Sequence, residues 1–416
     1  MEIFDDDDLV SKLCFHRVKD IASDKWWTLI DKQKKLSQLA IQNARGGDEE
    51  KVAEAFRNHL DKVPTLVNEV TSLAVWRREI LPLLLEKADE ELEAKFCVIY
   101  MILYHESTIV ALLEILLFHS DICKSLEDCA VDLVDYCASQ ITYLIAKQPE
   151  VDTGKEKSPE NELICQRDEI RFGVGMRCIT IVLYLAENLD KLSLSVTTRI
   201  YNTHDFPLLL CNLIESKPWI KEENGQKMQF TDGYWYKKSE GTSAGRHEAN
   251  TWLALHQLLL QPDLGKYYHL TEYAKGQFMR LESKISGNLL GQLQPLQQLK
   301  EGLLYMANFQ LPDQKPPIIM ELIPEMTNAL MQEGAKGWTK IVCQQKKQLV
   351  SNMNLTEIAE KLSNTLKGFD APVNLCTNCS QPAKSRCSKC KKAWYCGRDC
   401  QLQHFPYHKK ECNPDL

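Results

Sequence analysis

Seven of the chain's sixteen cysteines fall between residues 376 and 412, in the string CTNCSQPAKSRCSKCKKAWYCGRDCQLQHFPYHKKEC. A segment this short buries too little apolar surface to fold unaided, so its thiols must be held together by a cross-link or an ion. The other nine cysteines (Cys14, Cys97, Cys123, Cys129, Cys137, Cys165, Cys178, Cys211 and Cys343) stand singly, several in apolar runs such as LLLCNLIE. That is the pattern of reduced core thiols in a cytosolic protein, not of a disulfide framework. Metal is the remaining explanation. Cys376-x2-Cys379 and Cys387-x2-Cys390 are two knuckles, each able to aim two thiolates at one ion, and zinc takes four such ligands in a tetrahedron. Cys396-x3-Cys400 and His408-x3-Cys412 use the i, i+4 spacing that sets two ligands on one helix face. Eight ligands complete two closed sites, whereas a catalytic zinc keeps an open position. Spacing alone leaves open which half-sites share an ion, and His404, four residues after Cys400, competes with His408.

Charge bears on the partner. From residue 376 to the end of the chain, eight Lys/Arg face three acids, a formal +5, which leaves −12 for the rest of a chain whose total is −7. Seven thiolates and two Zn2+ lower the finger to +2, so most of its basic residues offset its own ligands. No wide basic face remains for a phosphate backbone, and nucleic acid is not an expected partner.

The opening MEIFDDDDLVSKLC is acidic where a signal peptide carries a basic flank and an apolar run, so secretion is not expected. The stretch FCVIYMILYHESTIVALLEILLF, from Phe96 to Phe118, approaches bilayer-spanning length, but His105, Glu106 and Glu114 interrupt it. A buried helix pair is expected there, with no membrane span. His105-Glu106 also looks like the start of an H-E-x-x-H metalloprotease motif, yet position 109 is Ile. Polar residues at a helix start or kink are the better reading.

Before the finger, segments with apolar residues at helical spacing follow one another: TLVNEVTSLAVWRREILPLLLEKA, STIVALLEILLFHSDICKSL, CAVDLVDYCASQITYLIAK, RCITIVLYLAENLDKL, DFPLLLCNLIES and NTWLALHQLLLQ. They predict a mainly α fold, an irregular armadillo/HEAT-like helical array. Asp232-Gly233 between aromatic-rich runs predicts a small hairpin at about 227–238. The polar stretch at about 147–162 predicts a flexible loop. The expected organisation is a helical scaffold domain over 1–367, a linker over 368–375 and a finger over 376–412.

The string from Cys376 to Cys412 resembles the MYND zinc finger. The resemblance implies interleaved ligands, with Cys376, Cys379, Cys396 and Cys400 on one zinc and Cys387, Cys390, His408 and Cys412 on the other. His408, beside Lys409 and before Cys412, stands where the family places its histidine. MYND fingers grip short proline-containing peptides on protein partners, and the family's peptide-contacting glutamine and tryptophan fall on Gln401 and Phe405. Phenylalanine keeps the apolar platform there but lacks the indole N–H. Trp394 and Tyr395, between ligands, are expected to form the finger's miniature core. Some MYND fingers sit in SET-domain methyltransferases, but the chain shows neither a glycine-rich cofactor strand nor an Asn-His motif ahead of a tyrosine.

Nearly the whole chain resembles a family of MYND-finger proteins that act in assembly of ciliary dynein arms. The strings KVPTLVNEV, LAVWRREILP, DLVDYC, LSLSVTTRIYNTHDFPLLLCNLIESKPW and LTEYAKGQFMRL carry this likeness. It implies a non-enzymatic scaffold in the cytoplasm, in dynein assembly particles, at centriolar satellites or in the apical region. Its implied partners are a leucine-rich-repeat assembly factor, heat-shock chaperones and dynein chains as clients. The alternative is a nuclear transcriptional co-regulator, against which stands the lack of any run of five or more Lys/Arg.

Overall fold

The computed structural model describes residues 6–46, 50–147, 158–223, 225–231, 233–238, 244–308, 317–334, 337–351, 376–378, 383, 385–390 and 393–412. Among the described residues, nine helices build the array in chain order: α1 (Asp24–Gly46), α2 (Val63–Val75), α3 (Phe96–Leu116), α4 (Ala130–Ala146), α5 (Pro159–Glu187), α6 (Phe206–Ser216), α7 (Arg246–Leu259), α8 (Glu272–Glu282) and α9 (Leu296–Asn308). The odd-numbered helices pack side by side in one layer and the even-numbered α2, α4, α6 and α8 in a second, with α2 on α3, α4 on α5, α6 on α7 and α8 on α9 bridging the two. This is an irregular helical array in which each helix buries its apolar stripe against its neighbours.

Local chemistry explains where these helices begin. Ser158 accepts a hydrogen bond from the Asn161 N–H and Pro159 follows, which starts α5 inside the stretch expected to be loop. Thr271 caps α8 through the Ala274 N–H, and Asp205 caps α6 through the Leu208 N–H. Pro82 lacks an N–H and would clash in a regular turn. Between Trp76 and Ile80 the chain widens into a π-turn instead, with Leu81 N–H donating to the Trp76 carbonyl. At Gly175 in α5, an added Cβ would lie 2.7 Å from Leu144 of α4, so the two helices meet closely there.

The stretch expected to hold a helix pair is one continuous helix, α3, of 21 residues. No breaker residue interrupts it, and its acids Glu106 and Glu114 find partners within the protein. Among the described residues it is the one helix long and apolar enough to cross a membrane, yet 78% of its most apolar window is buried inside the protein. His105 and Glu106 lie in its interior, not at a start or kink. Glu106 accepts two hydrogen bonds from Arg77, at 2.9 and 3.0 Å, and one from the Tyr136 hydroxyl at 2.8 Å. His105 lies 3.7 Å from Glu69, which also accepts from Trp26 Nε1 and the His16 N–H. Glu106 is therefore held in a buried structural network, and His105 is packed in the interior with neither ring nitrogen hydrogen-bonded.

Three short strands, β1 (Ile220–Glu223), β2 (Gln226–Thr231) and β3 (Tyr234–Lys237), form an antiparallel meander. Phe230 pairs with Trp235 across it, and both rings pack on Phe172 of α5. Gly233, at φ +91°, supplies the left-handed residue between β2 and β3.

After the array the chain turns back. The extended stretch 317–323 crosses the molecule, with the Ile318 N–H donating to the Lys266 carbonyl and the Met320 N–H to Thr198 Oγ1. Then α10 (Glu325–Gly334) packs on α2 and α4, and α11 (Trp338–Ser351) packs on the π-turn and the short helix Leu81–Glu86. Buried Gln345 of α11 accepts from Trp76 Nε1 at 2.8 Å and donates to the Val18 carbonyl at 2.7 Å. The expected linker at 368–375 lies outside the described residues.

Candidate metal centre

Two strands of two residues each, β4 (Ser385–Arg386) and β5 (Trp394–Tyr395), pair antiparallel ahead of α12 (Arg398–Glu411). The Cys387 N–H donates to the Ala393 carbonyl and the Thr377 N–H to the Trp394 carbonyl, so both ends of the ribbon are tied to ligand-bearing turns. Tyr395 is fully buried between the thiols, and Trp394 is half-buried. Tyr395, with Ala393 and the ligand cysteines, forms the small core that the segment needs, and Trp394, expected beside it, stands outside that cluster.

Around this core the structure brings Cys387, Cys390, His408 and Cys412 together, with every ligand atom within 4.8 Å of the others. Cys387 Sγ and Cys412 Sγ are 3.9 Å apart, and Cys390 Sγ is 3.4 Å from His408 Nε2. Tetrahedral zinc with its usual bond lengths sets thiolates about 3.8 Å apart and a thiolate about 3.5 Å from an imidazole nitrogen. The donor set fits zinc in chemistry and in spacing. A second group joins Cys376, Cys396 and Cys400, with 3.4 Å between Cys396 Sγ and Cys400 Sγ. Cys379, the fourth cysteine expected there, lies outside the described residues. The clusters interleave along the chain, the first and third half-sites in one and the second and fourth in the other.

Electrostatics prepare the first cluster for a cation. The Cys390 N–H, aimed at the Cys387 sulfur, and then His408 lower the Cys387 thiol to about 6. The hydrogen bond with Cys387 in turn raises His408. Burial pushes the Cys412 thiol up to about 11, a proton that a bound metal would displace.

His404 belongs to neither cluster. Its Nδ1 lies 3.1 Å from the Tyr395 hydroxyl, and its ring stacks on His408 and Tyr407. Gln401 and Phe405 stand four apart on α12, the first half-buried and the second exposed. Leu402 is exposed beside them, a neighbour that ligand spacing did not single out. An exposed apolar residue inside a polar helix is the signal that marks it. Away from the finger, a cleft of about 20 Å³ beside Trp27, Met101 and His105 has room for little more than one water.

Residues 376–412 match the MYND finger family. The chain is 30% identical to the zinc finger MYND domain-containing protein 10 homolog of Drosophila melanogaster, over 95% of this chain and 95% of that protein. A local likeness, 48% over 50 residues, links 11% of this chain to 5% of ubiquitin carboxyl-terminal hydrolase 15 of Arabidopsis thaliana. No solved structure matches. The family match covers the finger alone, but the likeness to the fly protein runs through the helical array and the finger together, and on that ground the chain belongs to the family of zinc finger MYND domain-containing protein 10.

Proposed function

We propose that the chain is a non-enzymatic cytoplasmic scaffold for preassembly of axonemal dynein arms. It holds protein partners through its helical array and its finger: a leucine-rich-repeat assembly factor, heat-shock chaperones and dynein chains as clients. The cellular role rests on the family resemblance carried by the whole chain. The observation that supports a scaffold is the finger itself, whose Cys387, Cys390, His408 and Cys412 supply all four ligands of a tetrahedral ion, while Phe405 stays exposed on α12. In this reading Cys376, Cys379, Cys396 and Cys400 hold one zinc, and Cys387, Cys390, His408 and Cys412 the other. The zincs supply folding energy and charge neutralisation. The residues 368–375 separate two independently folding parts, and Gln401 and Phe405 form the partner-binding face.

Phe405→Ala tests this face. It is expected to retain two zincs and normal helicity, to weaken partner capture by about 1 to 4 kcal/mol as loss of an anchor residue does, and to lower dynein-arm assembly in ciliated cells lacking the native protein. Full rescue of ciliary motility with unchanged partner recovery would move the working surface to the helical array. Fractionation that places the chain in nuclei would overturn the cytoplasmic reading.

A further inference from the structure

The return segment leaves five large apolar side chains on the surface within seven residues: Ile318 52% exposed, Ile319 55%, Met320 50%, Leu322 37% and Ile323 68%. Single exposed apolar residues need no explanation, but a contiguous run of this size marks a surface that something covers. Pro317 and Pro324 bracket the run and favour an extended backbone. The N–H groups of Ile318 and Met320 face the array, so the edge carrying Ile319 and Glu321 points away from it. The only charges from 317 to 325 are acidic, Glu321 and Glu325, both exposed.

The finger presents a matching surface. Along α12, Arg398, Leu402, Phe405 and Lys409 are all exposed and follow one another at spacings of four, three and four residues, which places them on one helix face. That stripe reads basic, apolar, apolar, basic, the complement of an apolar strip flanked by acids. Between Ser351, the end of α11, and Cys376 lie 24 residues, a span of up to about 80 Å when extended. Two surfaces of one chain whose connection can span them meet at an effective concentration on the order of millimolar, which favours the chain's own strip over that of a second copy at micromolar concentration.

We propose that the Arg398, Leu402, Phe405, Lys409 face of α12, exposed together with the 317–323 strip in the arrangement described above, docks on that strip in cis in a second, closed arrangement in which the chain masks its own partner-binding face. This rests on the reading of that face as a docking surface and adds its regulation. A partner then competes with the strip, and its apparent affinity falls by the fraction of fingers left undocked.

Hydrogen exchange on the full-length, zinc-loaded chain tests the contact. Three forms are compared at micromolar concentration: the native chain, Leu402→Glu, and the pair Ile319→Glu with Ile323→Glu. Each is checked for two zincs and an unchanged thermal midpoint. Docking is reciprocal, so Leu402→Glu is expected to speed exchange across 317–323 about ten-fold, and the strip variant to speed exchange across 398–411 comparably. Variants that alter only their own segment overturn the proposal. So does protection that disappears on dilution, which would assign the contact to a second copy. If exchange proves uncoupled while Phe405→Ala still weakens partner capture, this inference fails and the proposed function stands.

Discussion

His408 shows how much a single side chain decides here. It is buried with its Nε2 3.4 Å from Cys390 Sγ, while His404, one helical turn earlier, bonds the Tyr395 hydroxyl. His408→Ala is therefore expected to release one zinc and loosen the end of α12, because a closed site with three donors loses the metal that folds it. His404→Ala is expected to keep both ions, and native mass spectrometry reads the difference directly. The reverse stoichiometry would move the ligand role to His404. Deep in the array, Glu106 makes the comparable decision. It is the buried counter-charge of Arg77, and burial beside it pushes the Tyr136 hydroxyl well up, so that Tyr136 remains a neutral donor. Glu106→Gln preserves shape but strands a guanidinium, at a cost of about 3 to 5 kcal/mol in urea unfolding. A loss below about 1 kcal/mol would mean that water reaches Arg77 and takes over the role of Glu106.

At the scale of elements, the start of α10 is held from a distance. Asp132 of α4 accepts from the Met326 and Thr327 N–H groups and from Thr327 Oγ1, the last at 2.6 Å. A residue far away in sequence thus satisfies the orphan donors of a first turn that local caps usually serve. Asp132→Ala is expected to cost about 1 to 2 kcal/mol and to raise hydrogen exchange across 325–334, with α5 unaffected. Uniform loosening of α4 and α5 would show instead that Asp132 supports the array core. The short helix after the π-turn is sited in the same way, since Pro82 sets the widened turn and α11 then covers it.

For the molecule as a whole, two kinds of stability are joined in one chain. The array is held by apolar burial between two helix layers, which needs no metal. Among the described residues, the finger's apolar cluster consists of Tyr395, Ala393 and its own cysteines, with Ala383 packed against it. Chelation of zinc is therefore expected to unfold 376–412 while the helical circular dichroism of the rest stays nearly unchanged. Native mass spectrometry should count two zincs per chain before chelation. One zinc, or a finger that keeps its dispersion in NMR after chelation, would sink this account.

What the sequence determined by itself was whatever depends on local spacing. The two CxxC knuckles and the i, i+4 pairs 396/400 and 408/412 announced metal because ligands close in sequence must be close in space. The helical segments announced a mainly α array because apolar stripes of period 3.6 must be buried. Asp232-Gly233 marked a turn because only certain residues accept its backbone. The rest depends on contacts between residues far apart in the chain. That Phe96 to Leu116 is one helix and not two was hidden by His105, Glu106 and Glu114, whose partners (Glu69, Arg77, Tyr136, Arg177 and Arg246) come from four other parts of the chain. The start of α5 at Pro159 was read as loop because its first turns are polar. The folding back of 317–351 along the even layer left no periodic trace, because it hangs on Asp132, Thr198 and Gln345, each chosen by geometry that only the packed helices supply.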